Sequence, residues 1–538
     1  MQTTTTITKQ HDSNHAFDNE TVLKVLFKNS LPIVMLMIAN SLYTLIDALL
    51  AVKYVSVDNG FDYNGGDVIG AVFPLAQLLL AFSMIYIVGS GLYYSKRLGQ
   101  KKYDSAERGI GQAMMLSVVM GVILWFVILG ISGPYSNYVI KNSNSFNVAG
   151  VNQTAAAHAG RNYLIIISLA LIPLSITNIF TRALRAEGKG SAAALIPMLP
   201  IPINITLDIL FMGTLGMGIS GAALATFLAS LLTMFFSFSY VKHQQKRKNT
   251  YISFEFSNWK PRKATIMVIL AFGMTSFIRR IGSGVVVMVL SINITQLGNI
   301  DVIDATNLDP ALFPQWAAMF NTMARTLTFQ VKVSLGTAQA AAMLCAYYYG
   351  TKNYHRIFQT LVWGFLFIFI SQLILIPILA GSSGGLLQLF GVDKYQYNAE
   401  GVLIPGSSDA FKVYRMAYLW SLFYIFINAI VLLPIMFYAS SRNNKAAAIH
   451  VLIVTTILIS FAYIASASVS ATGERITFFW VMCIGAILAS SITMTLFYFQ
   501  FKLTKEILLN QIKKEKEIVN DSKELKEQFE SENTILLS

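Results

Sequence analysis

Charged residues are scarce in this chain of 538 residues: Asp, Glu, Lys and Arg together make up 12%, whereas 55% of the residues are hydrophobic. Soluble domains carry about a quarter charged residues, so this composition excludes an ordinary soluble domain. The formal net charge of +13 would suggest nucleic-acid binding in a soluble protein. Here the basic residues lie in short loops, where they fit membrane topology and anionic lipid headgroups. We therefore expect a multi-pass protein of the plasma membrane, in contact with membrane lipids and not with nucleic acid.

Several features of enzymes and disulfide-rich proteins are also missing. The two cysteines, Cys345 and Cys483, lie in apolar segments and are interpreted as packing residues. The one Gly-Lys pair, Gly188-Lys189, has Ala183 where the first glycine of a Walker A motif belongs. No histidine falls in the middle of an apolar segment, and no intramembrane cluster typical of a protease or metalloenzyme is present. We expect neither an enzyme nor a bound cofactor.

Apolar segments long enough to cross a bilayer, about 20 residues each, recur along nearly the whole chain. Basic residues concentrate in every second loop, and the loops between are acidic or neutral, which predicts that both termini are cytoplasmic. The predicted fold is all-α, with about twelve membrane-spanning helices. Their boundaries are 29–54, 68–95, 106–132, 161–182, 191–213, 217–240, 264–297, 315–349, 356–381, 412–439, 446–470 and 475–502.

An internal repeat divides these spans into two lobes of six. The segment Leu98-Gly-Gln-Lys-Lys-Tyr103 after the second span matches Tyr349-Gly-Thr-Lys-Asn-Tyr354 after the eighth, with Gly, Lys and Tyr at equal spacing. Two six-helix bundles with the substrate between them are a recurrent transporter architecture. The predicted regions are a polar tail (1–28), an N-lobe (29–240), a basic cytoplasmic linker (241–263), a C-lobe (264–502) and a charged tail (503–538).

Two carboxylates, Asp47 and Asp208, lie inside apolar segments, where a charged side chain is costly and usually functional. Helix rise places both at similar depth in the outer half of the membrane, together with Thr226 of span six. Asn204 precedes Asp208 by four residues and so shares its helix face. Three prolines before Asn204 free backbone carbonyls that can join the side-chain oxygens around a hard cation such as Na⁺. A proton shared between the two carboxylates is the alternative.

The second half of the chain carries intramembrane cations. Arg279 and Arg280 lie near the middle of span seven, and Arg325, Lys332 and Gln339 recur every seven residues along span eight. Such residues normally face a bundle interior or a water-filled cavity. We interpret them as the wall of a substrate cavity suited to an anionic or phosphate-bearing cargo. The alternatives are that they snorkel, bind lipid phosphate or pair with acids as gates.

Several short motifs carry a resemblance to a known family. They are Pro32 and Asp47 in span one, Gly89, Gly91 and Leu98-Gly99 in span two, Arg182-Ala-Leu-Arg-Ala-Glu-Gly188 after span four, and Asn204 to Asp208 with Gly218-Ile-Ser-Gly-Ala-Ala223 in spans five and six. Across residues 20–502 the chain resembles the multidrug and toxic compound extrusion (MATE) family, of the superfamily that includes lipid flippases. The resemblance is strongest in the first half, where Asn204, Asp208 and Thr226 fit the DinF-like branch.

The resemblance implies an exporter of small amphiphilic compounds in exchange for Na⁺ or H⁺, working by alternating access, with its cation site in the amino-terminal lobe. Spans seven and ten lack a carboxylate, so no second cation site is expected in the C-lobe. The alternative function is a flippase or exporter of a lipid or lipid-linked anionic molecule on the same fold. A third reading is a scaffold that uses the charged tail, 503–538, as its contact. We expect a monomer.

Overall fold

The structure is a computed structural model. The residues it describes are 17, 20–141, 151–253, 256–296, 316–389, 392, 394–395, 407–441, 444–472, 474, 476–502 and 506. Most of the two predicted tails therefore lies outside the described residues. Every regular element within the described residues is helical.

The helices are numbered here in chain order. They are α1 (Val22–Tyr54), α2 (Gly65–Gly99), α3 (Tyr103–Lys141), α4 (Gln153–Ala186), α5 (Gly190–Met198), α6 (Pro200–Asp208), α7 (Gly218–Lys246), α8 (Lys263–Gln296), α9 (Trp316–Gly350), α10 (Tyr354–Gly381), α11 (Ser383–Leu389), α12 (Ser407–Ile430), α13 (Leu432–Ser441), α14 (Asn444–Thr472) and α15 (Thr477–Lys502).

Eleven segments of the described chain are long and apolar enough to cross a membrane. The remaining predicted span, the eighth (315–349), coincides with α9, a 35-residue helix that is long enough but whose apolar sequence is interrupted by Lys332 and Gln339. Most helices are longer than the predicted spans: α3, for example, covers Tyr103–Lys141 where 106–132 was predicted. Hydropathy marks only the part of a helix that faces lipid, and the helices continue beyond it. The prediction of an all-α multi-pass membrane protein is confirmed.

Span five is interrupted shortly before the site residues Asn204 and Asp208. Pro200 and Pro202 have no backbone N–H to continue the helix, and the span divides into α5 and α6 at Leu199. Directly after Asp208 the backbone widens into a π-helix, Ile209–Thr214. Short π-helical segments inside α-helices often mark functional sites. Asp208 therefore lies at a junction between two helix geometries.

The repeated motifs adopt the same backbone turn. Lys101 and Lys352, equivalent in the alignment of the repeats, are both left-handed, with φ of 56° and 58°. The next residue in each motif donates its N–H to the carbonyl five positions back: Lys102 to Arg97 and Asn353 to Tyr348, both at 2.9 Å. The short sequence repeat thus corresponds to a repeated helix ending.

The two halves of the chain touch at the end of the bundle that carries the basic loops, called the inner end below. There α2 packs along α8 and against α9. A β-carbon on Gly99 would lie 2.2 Å from the carbonyl oxygen of Tyr347, and one on Gly350 would lie 2.4 Å from that of Lys96. The Lys96 ammonium also lies 4.5 Å from the centre of the Tyr349 ring. The helices approach this closely because glycine has no side chain at the contact points.

The basic linker is docked on the first half of the chain. The first six residues predicted to belong to it, 241–246, complete α7 instead. Beyond them, the Glu187 carboxylate accepts hydrogen bonds from Thr250 Oγ1 (2.8 Å) and the Tyr251 backbone N–H (3.0 Å), and also from Tyr94 Oη of α2 (2.6 Å). Glu107 of α3 accepts from Asn258 Nδ2 at 2.8 Å. These bonds hold Thr250, Tyr251 and Asn258 on the inner end of α2, α3 and α4.

Candidate functional site

The two predicted acids meet between α1 and α6. The Asp47 and Asp208 carboxyl groups lie close enough to each other to interact directly. Asp208 is fully buried, and Asp47 is partly exposed. An ionised carboxylate is only an acceptor and repels a second one, so a proton on one of the two acids would allow a hydrogen bond between them. A small cation between the carboxylates would satisfy the same charge balance.

Asn204 connects the acids to a third helix. The hydrogen-bond network is satisfied when its amide nitrogen donates to Asp208 Oδ2 (2.8 Å) and Tyr43 Oη (2.9 Å). Its amide oxygen then accepts from the backbone N–H of Thr226 (2.8 Å) and from Thr226 Oγ1 (3.2 Å). The structure therefore brings Asp47, Asn204, Asp208 and Thr226 together, as the depth argument predicted.

Two tyrosines belong to the same site and were not predicted from the sequence. Tyr43 precedes Asp47 by four residues, so the i, i+4 spacing on α1 could have identified it. Tyr163 of α4 lies close enough to interact electrostatically with both Asp47 and Asp208. No spacing rule connects Tyr163 to the acids, because it comes from a different helix. Its presence means that α1, α4, α6 and α7 all converge at the site.

The atoms at the site suit a proton or a hard cation. Asp208 Oδ1 is buried and has no hydrogen-bond partner among the described residues, which leaves it available as a ligand. Carboxylate and hydroxyl oxygens are the ligands that hard cations prefer. No group of three or more His, Cys, Asp and Glu side chains occurs in the described part of the chain, so the donor set does not resemble a transition-metal centre.

The predicted contribution of backbone carbonyls is wrong for two of the three prolines. Pro197 and Pro200 leave the carbonyls of Ala193 and Ile196 without their helical donors. Ala193 O accepts from Arg185 Nη2 at 3.2 Å, and Ile196 O accepts from the N–H of Leu199 at 3.2 Å. Other donors compensate at these two positions, so neither of these carbonyls is left free by its proline.

The predicted basic residues lie near the contact between the two halves. Arg280 of α8 donates to Gln77 Oε1 of α2 and lies close to Lys332 of α9. Its neighbour Arg279 lies close to Arg182 of α4, a residue that the sequence placed at the cytoplasmic exit of span four and not in the cavity. The Arg325 side chain lies outside the described residues.

Gln339, the last residue of the predicted stripe, belongs to the same region. It accepts a hydrogen bond from Arg182 Nη2 at 3.2 Å. The residue is therefore paired across the two halves of the chain. Its position on α9, about two turns from Lys332 toward the inner end, agrees with the seven-residue spacing that predicted the stripe.

Comparison with known proteins finds one family model and several relatives that resemble this chain. The MatE family model matches residues 32–210. The multidrug export protein MepA of Staphylococcus haemolyticus is 22% identical over 378 residues, 70% of this chain and 75% of that protein. MepA of Staphylococcus aureus is 21% identical over 62% of this chain and 65% of that protein. These matches support a MATE family transporter, with the MatE domain at residues 32–210.

Solved structures extend the MATE fold over almost the whole chain. A transporter of the MOP superfamily from Pyrococcus furiosus, described as having a binding pocket of reverse polarity, superposes with a TM-score of 0.73 at 18% identity. The superposition covers 90% of this chain and 97% of the Pyrococcus furiosus protein. An outward-facing multidrug resistance MATE transporter gives the same TM-score, identity and coverage.

The two kinds of match cover different parts of the chain. The family model includes Asp47, Asn204 and Asp208 but ends before Thr226. The structural matches reach the second half of the chain, where at this identity they show the fold alone. Assignment to the DinF-like branch stays a prediction.

Proposed function

We propose that this MATE protein is a secondary active exporter of small amphiphilic compounds and that Asp47 and Asp208 bind its coupling ion, H⁺ or Na⁺. The observation that carries the proposal is the close approach of these two carboxyl groups, with Asp208 fully buried. Placing two acids inside a membrane costs free energy, and such residues usually mark an ion or substrate site. The MepA relatives are multidrug exporters, which supports a small-molecule cargo.

The position of Asp47 supports coupling between the ion and the two halves of the chain. Asp47 is on α1, and α1 also packs against α9 of the second half. At that contact a β-carbon on Gly336 would lie 3.2 Å from the Cα atom of Val34. An ion that draws Asp47 toward Asp208 thus acts on a helix that touches the opposite half. Ion binding shifts the balance between two states to the extent that it favours one of them.

The alternative is a flippase or exporter for a lipid or lipid-linked anionic molecule. The same fold supports it, but the relatives are named as multidrug exporters, and no observation on the described residues requires a lipid tail. We therefore retain a soluble amphiphile as the proposed cargo and a single chain as the transporting unit.

The test is transport in liposomes reconstituted with the purified protein. A fluorescent amphiphile should move against its own gradient when a Na⁺ or H⁺ gradient is imposed. The Asp208→Asn protein should lose this gradient-driven movement, whereas Asp104→Asn, which removes an exposed acid at the start of α3, should keep it. Full gradient-driven transport by Asp208→Asn would refute the coupling site.

A further inference from the structure

Four cationic side chains gather where the two halves of the chain meet. Arg182 comes from α4 in the first half, and Arg279, Arg280 and Lys332 come from α8 and α9 in the second. Arg279 lies within electrostatic range of Arg182 and Arg280, and Lys332 within range of Arg280. Together they are called the basic cluster below. Arg280 is midway along the 34-residue α8, so the cluster lies at membrane depth.

The described part of the chain provides no compensating charge for the basic cluster. Among the described residues, no carboxylate forms an ion pair with any of its four members. The Nε atoms of Arg182, Arg279 and Arg280 are buried without a hydrogen-bond partner. Like charges at short range in an apolar setting repel strongly, and cations at this depth normally face a partner or an aqueous cavity. The arrangement is therefore incomplete without an anion.

Two glutamines each accept a hydrogen bond from one arginine of the basic cluster. Arg280 Nη2 donates to Gln77 Oε1, and Arg182 Nη2 donates to Gln339 Oε1. Each bond joins an arginine in one half of the chain to a glutamine in the other half. A neutral amide oxygen is a weaker acceptor for guanidinium than a carboxylate or phosphate oxygen, which binds through charge-assisted hydrogen bonds. The glutamines thus satisfy single N–H groups and leave the charge uncompensated.

We propose that the basic cluster binds an oxyanionic group on the cargo, and that Gln77 and Gln339 compete with this group for the arginines. The proposal rests on the exporter function above and specifies its substrate class as anionic amphiphiles bearing a carboxylate, sulfonate or phosphate. In the structure the inner end is closed and both glutamine bonds are made. Closing the inner end therefore brings the glutamines to Arg280 and Arg182 and displaces the cargo. An oxyanion bound at the cluster favours the opposite state, in which the halves separate at the inner end.

The test is equilibrium binding to the intact purified protein in uncharged detergent, with no ion gradient. Two probes share a dansyl fluorophore and an arm of equal length, one ending in a carboxylate and the other in a primary ammonium. Fluorescence anisotropy should show tighter binding of the carboxylate probe. Arg280→Gln and Lys332→Gln should each weaken it about tenfold, the loss of one charge-assisted contact. Arg280→Lys, which keeps the charge, should recover part of the affinity.

The glutamine variants should change the affinity for the carboxylate probe in the opposite direction. Gln77→Leu and Gln339→Leu each remove a competing acceptor and leave the cations in place, so the carboxylate probe should bind about fivefold more tightly, as for the loss of one competing hydrogen bond. A purely structural role for these residues would weaken binding in every variant. Lys24→Gln, which removes a cation that is 69% exposed at the start of α1, serves as the matched charge control and should change nothing.

Three results would overturn the proposal: equal or tighter binding of the ammonium probe, carboxylate binding that is unchanged in Arg280→Gln and Lys332→Gln, or weaker binding in both glutamine variants. Displacement of the probe by inorganic phosphate or by phosphatidylglycerol would support an oxyanion site and would distinguish a free anion from a lipid headgroup. Because the assay uses no gradient, it is independent of Asp208. Failure of ion coupling and failure of anion recognition therefore give different results.

Discussion

Gly273 of α8 crosses Ile85 of α2 so closely that a β-carbon on the glycine would lie 1.6 Å from the Ile85 carbonyl oxygen. The contact is with backbone, which cannot rotate away as a side chain can. A second crossing nearby is almost as close, since a β-carbon on Gly89 would lie 2.0 Å from the carbonyl oxygen of Ile269. The closed inner end thus depends on glycines at the α2–α8 crossing.

We predict that Gly273→Ala forces α2 and α8 apart and opens the inner end. The reporter is Ser95→Cys, because the Ser95 hydroxyl donates to Met343 O of α9 at 2.8 Å and is buried between the halves. In this background Gly273→Ala should increase the reaction of the introduced thiol with a membrane-impermeant thiol reagent. It should also lower the melting temperature, since overpacking typically costs about 1–3 kcal/mol.

Gly130→Ala is the control for that experiment, because a β-carbon on Gly130 of α3 meets no other atom within 4 Å. It should leave both the labelling rate and the melting temperature near the reference values. If Gly273→Ala behaved like Gly130→Ala, the glycine crossing would not be what keeps the inner end closed.

Tyr43 is predicted to tune ion affinity through Asn204. Its hydroxyl lies 2.9 Å from the Asn204 amide, which in turn lies 2.8 Å from Asp208. Tyr43→Phe removes one neutral hydrogen bond, worth about 1 kcal/mol, so the ion concentration for half-maximal transport should rise about fivefold. The measurement is the dependence of transport on Na⁺ concentration and on pH in proteoliposomes.

The matched control for Tyr43→Phe is Tyr463→Phe, which alters an exposed tyrosine on α14 and should have no effect. The maximal rate should stay close to that of the unmodified protein in both variants, because neither removes a carboxylate. An unchanged ion dependence in Tyr43→Phe would show that the tyrosine does not position the site.

Glu187 is predicted to hold the linker on the first half of the chain. Its side chain is 5% exposed and accepts from Thr250, Tyr251 and Tyr94. Glu187→Gln weakens bonds that depend on the negative charge, at a cost of about 1.5–3 kcal/mol. Cleavage by trypsin after Arg247 and Lys248, which are exposed beside the docked segment, should therefore become about tenfold faster, since proteolysis tracks the population of the locally open form.

Glu20→Gln serves as the comparison for the linker experiment. It removes a surface ion pair with Lys24, whose N–O distance is 3.5 Å, and such pairs contribute about 0–1 kcal/mol. Its cleavage rate should match that of the unmodified protein. Equal protection of the linker in Glu187→Gln would mean that other contacts hold it in place.

The acid site was largely predictable from the sequence because its signal is unusual. A carboxylate in an apolar segment is conspicuous, and helix rise alone places Asp47, Asp208 and Thr226 at one depth. Tyr163 carries no such signal, since a tyrosine in a membrane helix is ordinary and its role depends on which helix lies beside α1. The π-helix after Asp208 was also not predictable. Its segment, Ile209–Thr214, contains no proline that would signal an irregular helix.

The basic linker and Arg182 show a second limit of sequence reasoning. A loop rich in lysine and arginine is typically solvated, yet Thr250 and Asn258 of this linker are held by Glu187 and Glu107, which lie far away in the chain. The sequence placed Arg182 at the cytoplasmic exit of span four, but its long side chain reaches Gln339 of α9. In both cases the deciding contact joins residues that are distant in sequence, and single-chain periodicity contains no information about it.

Ion binding by the purified protein tests the central claim most directly. Radiolabelled Na⁺ binding and proton release on Na⁺ addition are measured for the unmodified, Asp208→Asn and Asp104→Asn proteins. We predict saturable binding of a single coupling ion that is lost in Asp208→Asn and retained in Asp104→Asn. An Asp208→Asn protein that binds the same ion with unchanged affinity would contradict the assignment of the Asp47–Asp208 pair as the coupling site.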